Sequence, residues 1–262
     1  MRPLPFQRYV ALGDSSTQGV DDPDGEGGYR GWSQRLAERI ANTQGGLQYA
    51  NLAAYGLTTA EVRERQLEAA LSLRPDLATL FCGTNDVTGW RFDVETVAND
   101  IEHMQRALIA SGATVLTFTL PDLTPLMPLA RLIAPRIAAL NQAIIKASQA
   151  TGTLVVDFAA HAVATDSRLW SEDRIHANAA GHARIAEALA NALQLPGSNA
   201  DWMQMLPAMK APTRWRREAS ELTWIRHHLL PWVLKGLFSG TSTTGRGAKQ
   251  PHLQKIRRRR DD

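Results

Sequence analysis

Three residue types in this chain could together cleave an acyl bond: a serine hydroxyl, an imidazole to take its proton, and a carboxylate to orient that imidazole. The serine is Ser15, in the turn Gly13-Asp14-Ser15, and the other two lie three residues apart in Asp173-Arg-Ile-His176. Serine is a weak nucleophile at its own pKa and needs a base near neutral pKa within hydrogen-bond reach, for which histidine is the usual choice. Asp173 would hold that ring in one tautomer and stabilise its protonated form. Two further loops could supply N–H donors for the oxyanion: Gly56 in Asn51-Leu-Ala-Ala-Tyr-Gly56, and Asn85 in Gly83-Thr84-Asn85-Asp86. If both loops reach one rim, the Ser15 and Gly56 amides and the Asn85 side chain form an oxyanion hole, where loss of one donor costs roughly 3 kcal/mol in barrier. Taken singly, each block reads equally as a turn, and Asp173 and His176 as a capping and a surface residue of the helix that follows.

These groups must be carried by a scaffold that brings distant segments to one edge. Apolar, β-branched runs suggest strands near Tyr9–Leu12, Leu47–Asn51, Leu77–Cys82, Ala113–Thr119 and Leu154–Phe158. Between and after them, amphipathic spacing predicts helices over Trp32–Ala41, Thr59–Leu71, Val94–Ala110, Leu132–Gln149 and Ala179–Leu193. In the first of these Trp32, Leu36 and Ile40 share a face. Such alternation implies an α/β fold, a three-layer α/β/α sandwich on a five-stranded parallel sheet. Ser15, Gly56 and Asn85 then all follow strands, at the edge where open α/β sheets bind ligands. The Gly- and Asp-rich segment Asp21–Gly31 is expected to be a mobile loop.

The four blocks, in this order, resemble those of the SGNH (GDSL-like) hydrolase family, and the likeness runs from about Tyr9 to Leu193. It implies a flavodoxin-like sandwich and metal-free hydrolysis of an acyl ester without a cofactor. Ser15, His176 and Asp173 would be the triad, with Ser15, Gly56 and Asn85 as oxyanion donors. The family pattern usually places a bulky apolar residue after the serine, and here it is Ser16. Substrates of such enzymes include small synthetic esters, lysophospholipids and acetylated carbohydrates, and fold alone does not choose among them.

Other chemistries lack their residues. There is no Gly-x-Ser-x-Gly elbow, no Gly-x-x-x-x-Gly-Lys-Ser/Thr loop, no paired cysteines and no His-Glu-x-x-His; His182 reads as a helix residue. The single Cys82 lies in an apolar run and reads as a small buried hydrophobe. No apolar run approaches the roughly 20 residues of a membrane span and the start lacks the features of a secretory signal, so a cytoplasmic protein is expected.

Charge divides the chain. Residues 201–262 hold 13 Lys and Arg against 5 Asp and Glu, a net of +8, which leaves −5 for the remainder. A catalytic domain is expected over 1–195, then a Trp-rich basic helical extension over 196–238 with a helix around Arg214–Leu230, then a disordered basic tail over 239–262 ending in Arg257–Arg260. Trp202, Trp215, Trp224 and Trp232 read first as packing the extension back onto the domain or shaping its entrance. Peripheral association with an anionic membrane, through a basic aromatic-bearing helix, is the alternative role, and nucleic acid is the least favoured partner. Trp90, in Thr88-Gly89-Trp90-Arg91, and Trp170 are the candidates for substrate contact.

Overall fold

Strand β1 (Arg8–Gly13) is buried from Tyr9 onward, and β3 (Leu77–Phe81) is buried at every residue, so both must lie inside the sheet with layers on either face. A computed structural model describes residues 6–208, 224, 226 and 247–257 of the chain. The sheet runs β5-β4-β3-β1-β2-β6, with β2 (Gly46–Asn51), β4 (Thr114–Phe118) and β5 (Leu154–Val156) parallel to β1 and β3.

Right-handed crossovers dictate where the helices go. The step from β1 to β2, through α2 (Gly31–Gln44), runs one way along the sheet; the step from β2 back past β1 to β3, through α3 (Thr59–Ser72), runs the other. The two helices therefore cover opposite faces. Helices α5 (Val94–Ala110) and α6 (Ala134–Thr151) continue in the second direction, α5 packing between α3 and α6, while α7 (Ala179–Ala192) packs on α2. The strand order reverses between β1 and β3. Short helices α1 (Ser15–Gln18) and α4 (Thr84–Thr88) start at the carboxyl ends of those two strands, which is where such sheets hold ligands.

Local chemistry sets the element ends. Thr58 and Glu61 form a reciprocal capping box at the start of α3, Asp93 caps α5, and Asn178 accepts from the amides of Ala180 and Gly181 to cap α7. The inner stripe of α2 is as the spacing demands: Trp32, Leu36 and Ile40 are fully buried, and Trp32 meets Phe118 edge-on at 5.3 Å. Each such side chain contributes about 2–3 kcal/mol by leaving water. Cys82 is buried, and burial pushes its thiol well above the ordinary range.

Two expectations need correction. The sheet has six strands, because β6 (Gln250–Arg257) pairs antiparallel with β2, from Gly46↔Arg257 to Asn51↔Gln250. The described part of the tail expected to be disordered is thus ordered, and Leu253 and Ile256 pack against the core. Pro251 and the charges of Lys255 and Arg257 hid it, since Pro and cations are what an edge strand tolerates and an interior strand does not. The helix expected around Arg214–Leu230 lies outside the described residues except for Trp224 and Arg226, and Arg258–Arg260 lie outside them altogether. No helix among the described residues is long and apolar enough to cross a membrane.

Candidate active site

Ser15 is the first residue of α1, placed by a tight turn out of β1. Gly13 has φ +153°, and a Cβ there would meet the Phe81 carbonyl oxygen at 2.2 Å and Thr17 Oγ1 at 2.3 Å, so only glycine fits. Gln66, buried on the inner face of α3, brackets this turn: its Oε1 accepts from the Gly13 amide and its Nε2 donates to the Gly13 carbonyl, both at 2.8 Å. Sequence reasoning passed over Gln66, although a glutamine in register with Val62 and Ala70 on a buried helix face was a readable signal. Asp14 caps α1 through Ser16 N at 3.0 Å. Burial raises the Asp14 carboxyl to about 6 despite that bond and the nearby His176 charge.

The loop before α7 supplies the other two groups. Asp173 Oδ1 accepts from the amides of Ile175 (2.8 Å) and His176 (2.9 Å) and from Ser171 Oγ (2.6 Å), while Arg174 between them takes a left-handed φ of +62°. The carboxylate is thereby locked, and its Oδ2 lies 2.6 Å from His176 Nδ1. His176 Nε2 lies 2.8 Å from Ser15 Oγ, so residues 161 positions apart meet. Burial works against both charged forms. It is outweighed by the mutual hydrogen bond and attraction, which hold Asp173 well below the carboxylate range and His176 above the ordinary histidine value. Neither residue caps α7; Asn178 does.

Of the expected oxyanion donors, Asn85 sits at the second position of α4 with its carboxamide N–H₂ donating to Leu57 O at 3.0 Å and to Asp14 Oδ2 at 3.3 Å. Gly56 takes φ +77° between Tyr55, whose ring lies 6.0 Å from that of His176, and Leu57, which accepts from Asn85. The β2–α3 loop therefore reaches the same rim. Asp86 is structural: its Oδ2 accepts from Thr59 N and Oγ1 at 2.9 and 3.0 Å, pinning α4 to α3.

A cavity of about 100 Å³ opens beside Ser15 and His176, walled by Phe81, Phe118, Phe158, Trp170 and Trp202. Trp170 is thus brought to the site, its indole N–H fixed on Ala164 O at 2.9 Å. Trp90 is not: it is 90% exposed and lines neither this cavity nor its neighbour, and Arg136 Nη1 donates to Gly89 O of its loop at 2.7 Å. Trp202 replaces it. It comes from the 3-10 turn Ala200–Met203, beyond the boundary expected near residue 196, and its ring meets Phe158 edge-on. A second apolar cavity of about 270 Å³ shares Thr84, Leu120, Leu123 and Ile175 with the first and is closed by Trp224. The Trp224 indole N–H donates to the Asp173 carbonyl at 3.1 Å, and Arg174 lies over its ring at 4.9 Å.

Among the described residues, one group has ligand atoms close enough to share a metal: Asp21, Asp173 and His176, all within 4.8 Å of one another. Both His176 nitrogens are already committed, to Asp173 and Ser15, so this donor set suits proton transfer better than coordination. His182 serves the scaffold instead. Fully buried, its Nδ1 accepts from Trp32 N at 3.1 Å and its Nε2 donates to Val20 O at 3.0 Å. Burial lowers it to about 4.

Comparison with known proteins agrees with this layout. Residues 11–184 match the family model of the GDSL-like lipase/acylhydrolase family. The fold is similar to that of a putative GDSL-like lipase from Parabacteroides merdae (TM-score 0.60, 20% identity, covering 72% of this chain and 95% of that one). It is also similar to the lipase/acylhydrolase from Enterococcus faecalis (0.59, 21%, 74% and 100%). A third similar fold is the acetylxylan esterase Axe2 of Geobacillus stearothermophilus, crystallised as a catalytic mutant (0.56, 16%, 76% and 97%). No curated protein matches the chain.

Proposed function

Because the chain belongs to the GDSL-like lipase/acylhydrolase family and is an ester hydrolase, we propose that it cleaves carboxylic esters of short apolar acids through Ser15, His176 and Asp173. The observation that carries this reading is the unbroken chain from Ser15 Oγ to His176 Nε2 at 2.8 Å and from His176 Nδ1 to Asp173 Oδ2 at 2.6 Å, beside an apolar cavity. His176 takes the hydroxyl proton as Oγ adds to the ester carbonyl, and returns it to the departing alcohol oxygen. Water then attacks the acyl-serine, giving its proton to His176, and the acid leaves as Ser15 recovers its hydrogen.

The developing oxyanion is met by the Ser15 and Gly56 amides and by Asn85. For Asn85 this requires one N–H to leave Asp14 or Leu57, so Asp14 acts as its holder between turnovers. Substrate class follows from the walls. A small cavity of about 100 Å³ bounded by Phe118, Phe158 and Trp202 suits acyl groups of a few carbons. Its aromatic lining favours an unsubstituted acyl group over a sugar. The larger neighbouring cavity takes an apolar alcohol portion.

A panel of esters graded by acyl length, assayed on the native chain and on Ser15→Ala, tests the proposal. Hydrolysis should peak at two to four acyl carbons and vanish in the variant, which should also lose covalent labelling by a fluorophosphonate. Turnover surviving in Ser15→Ala would reject the nucleophile.

A further inference from the structure

His176 is approached by a second carboxylate that the proton-transfer chain does not use. Asp21 follows α1, and one of its oxygens lies within 4.8 Å of both an Asp173 oxygen and a His176 nitrogen. Its backbone is in the left-handed region, φ +69°, which a non-glycine residue adopts only where the surroundings impose it, Asp and Asn most readily.

Both flanks do impose it. On one side Val20 donates its amide to Ser15 O at 3.2 Å and accepts from buried His182 at 3.0 Å. On the other, buried Asp22 is paired with Arg35 at 2.7 Å, accepts from Gly31 N at 3.0 Å, and donates its amide to Gly19 O at 3.1 Å. With Val20 and Asp22 nailed down on opposite sides, the residue between them is turned toward the imidazole rather than left to choose its direction. Glycine would take this φ without strain, yet an acid is present.

We infer that Asp21 is a positioning residue of the reaction: a second carboxylate that stabilises the imidazolium of His176 as it forms, through its charge rather than through the hydrogen bond that Asp173 makes. This rests on the assignment of His176 as the base. A negative charge within 4–6 Å favours the charged form of its neighbour. The other groups that face the ring are Asp173 on its own loop, Asp14 at the start of α1, His182 on α7 and the Tyr55 ring from the β2–α3 loop. Asp14 and Asp21 both act on the ring in the same direction as Asp173, and His182, neutral in the fold, does not oppose them.

The test is Asp21→Asn, which keeps size and tolerance of the left-handed backbone and removes only charge, alongside Asp21→Gly, which relieves the backbone. The His176 ring protons are titrated by NMR in both variants and in the native chain, and kcat/KM is followed against pH. Removing a negative charge disfavours the imidazolium, so the ring should titrate about half a unit or more lower in both variants. The acid limb of kcat/KM should move down with it, and kcat on the plateau should fall by about threefold to tenfold. An unshifted His176 titration in Asp21→Asn would overturn the inference, as would a shift in Asp21→Gly alone, which would mark a backbone effect. The NMR readout needs no turnover, so failure of the esterase reading, seen as activity persisting in Ser15→Ala, is distinguishable from failure of this one.

Discussion

The indole of Trp202 meets the ring of Phe158 edge-on, centroids 5.4 Å apart, and His161 packs on the same indole at 4.8 Å. A residue from beyond the last helix of the sandwich therefore forms the end wall of the cavity beside Ser15. Trp202→Ala should cost about 3 kcal/mol in stability, as large aromatic deletions in a core do. It should also lengthen the cavity, raising kcat/KM for hexanoyl over acetyl esters by about tenfold relative to the native chain. Urea unfolding and the acyl panel measure the two effects; an unchanged acyl preference would place the acyl group elsewhere.

Ala130 is buried in the second cavity and absent from the first. Ala130→Phe should fill that space, lowering kcat/KM for esters of long-chain alcohols about tenfold while sparing the methyl ester of the same acid. Equal losses on both would remove the alcohol portion from this cavity.

Activity should fall on the acid side earlier than for an unperturbed histidine. His176 is raised above 6.5 by Asp173, which overcomes the opposing effect of burial, so the base is protonated and lost as pH drops through a value above 6.5. Asp14, raised by burial to about 6, takes up its own proton at slightly lower pH, and there its charge ceases to favour the imidazolium. A kcat/KM profile with its acid midpoint under 6.5 would contradict this.

Between pH 6.5 and 4 two buried groups pull stability in opposite directions: His182 weakens the fold as pH falls, while Asp14, raised by burial to about 6, takes up its proton more readily in the fold and strengthens it. The folded value of His182 is depressed to about 4 by burial, so the unfolded chain binds a proton there in that window and the folded chain does not. The contribution is present above 6.5 and lost progressively on the way to 4, up to about 3 kcal/mol. His176, shifted the other way, acts above 6.5, and the depressed Asp173 and Asp22 act below 4. Relative to its own value at pH 7.5, the urea midpoint at pH 4.5 should be higher in His182→Gln than in the native chain; an equal change in both would contradict this.

Gly13→Ala should cost more than about 2 kcal/mol and lower kcat sharply, since the added methyl must displace the Phe81 carbonyl or Thr17 and the residue keeps a positive φ. Thermal unfolding and single-turnover kinetics report the two. An alanine variant with native kcat would show that the turn does not set the serine.

What could be read from residue order was whatever depends on periodicity and turn chemistry. The strands β1 to β4 and helices α2, α3, α5 and α7 lie within a few residues of expectation because each carries an apolar face of the right period. Ser15, Asp173 and His176 were legible because each sits in a turn of distinctive composition. Trp202 was legible only as one of four tryptophans read as packing back or shaping the entrance, and Gln66 only as a polar residue on a buried helix face whose partners the sequence did not name. Trp202 follows a linker-like Pro-Gly-Ser-Asn stretch, and its neighbours depend on how the chain returns; Gln66 is a polar residue whose partners are backbone atoms 53 residues away. That Trp90 stands exposed and apart from the two cavities was not legible, because exposure of a large aromatic cannot be told from its sequence surroundings.

The pairing of Gly46 with Arg257 has a bearing on biosynthesis. Everything that positions Ser15, from β1 to α3, has left the ribosome long before the residues of β6 are made. Until then the outer edge of β2 offers unsatisfied amides and carbonyls to any passing strand. A nascent or clipped polypeptide lacking residues 247–257 would still hold Ser15, Asp173 and His176 but carry an open flank, and so would be prone to self-association.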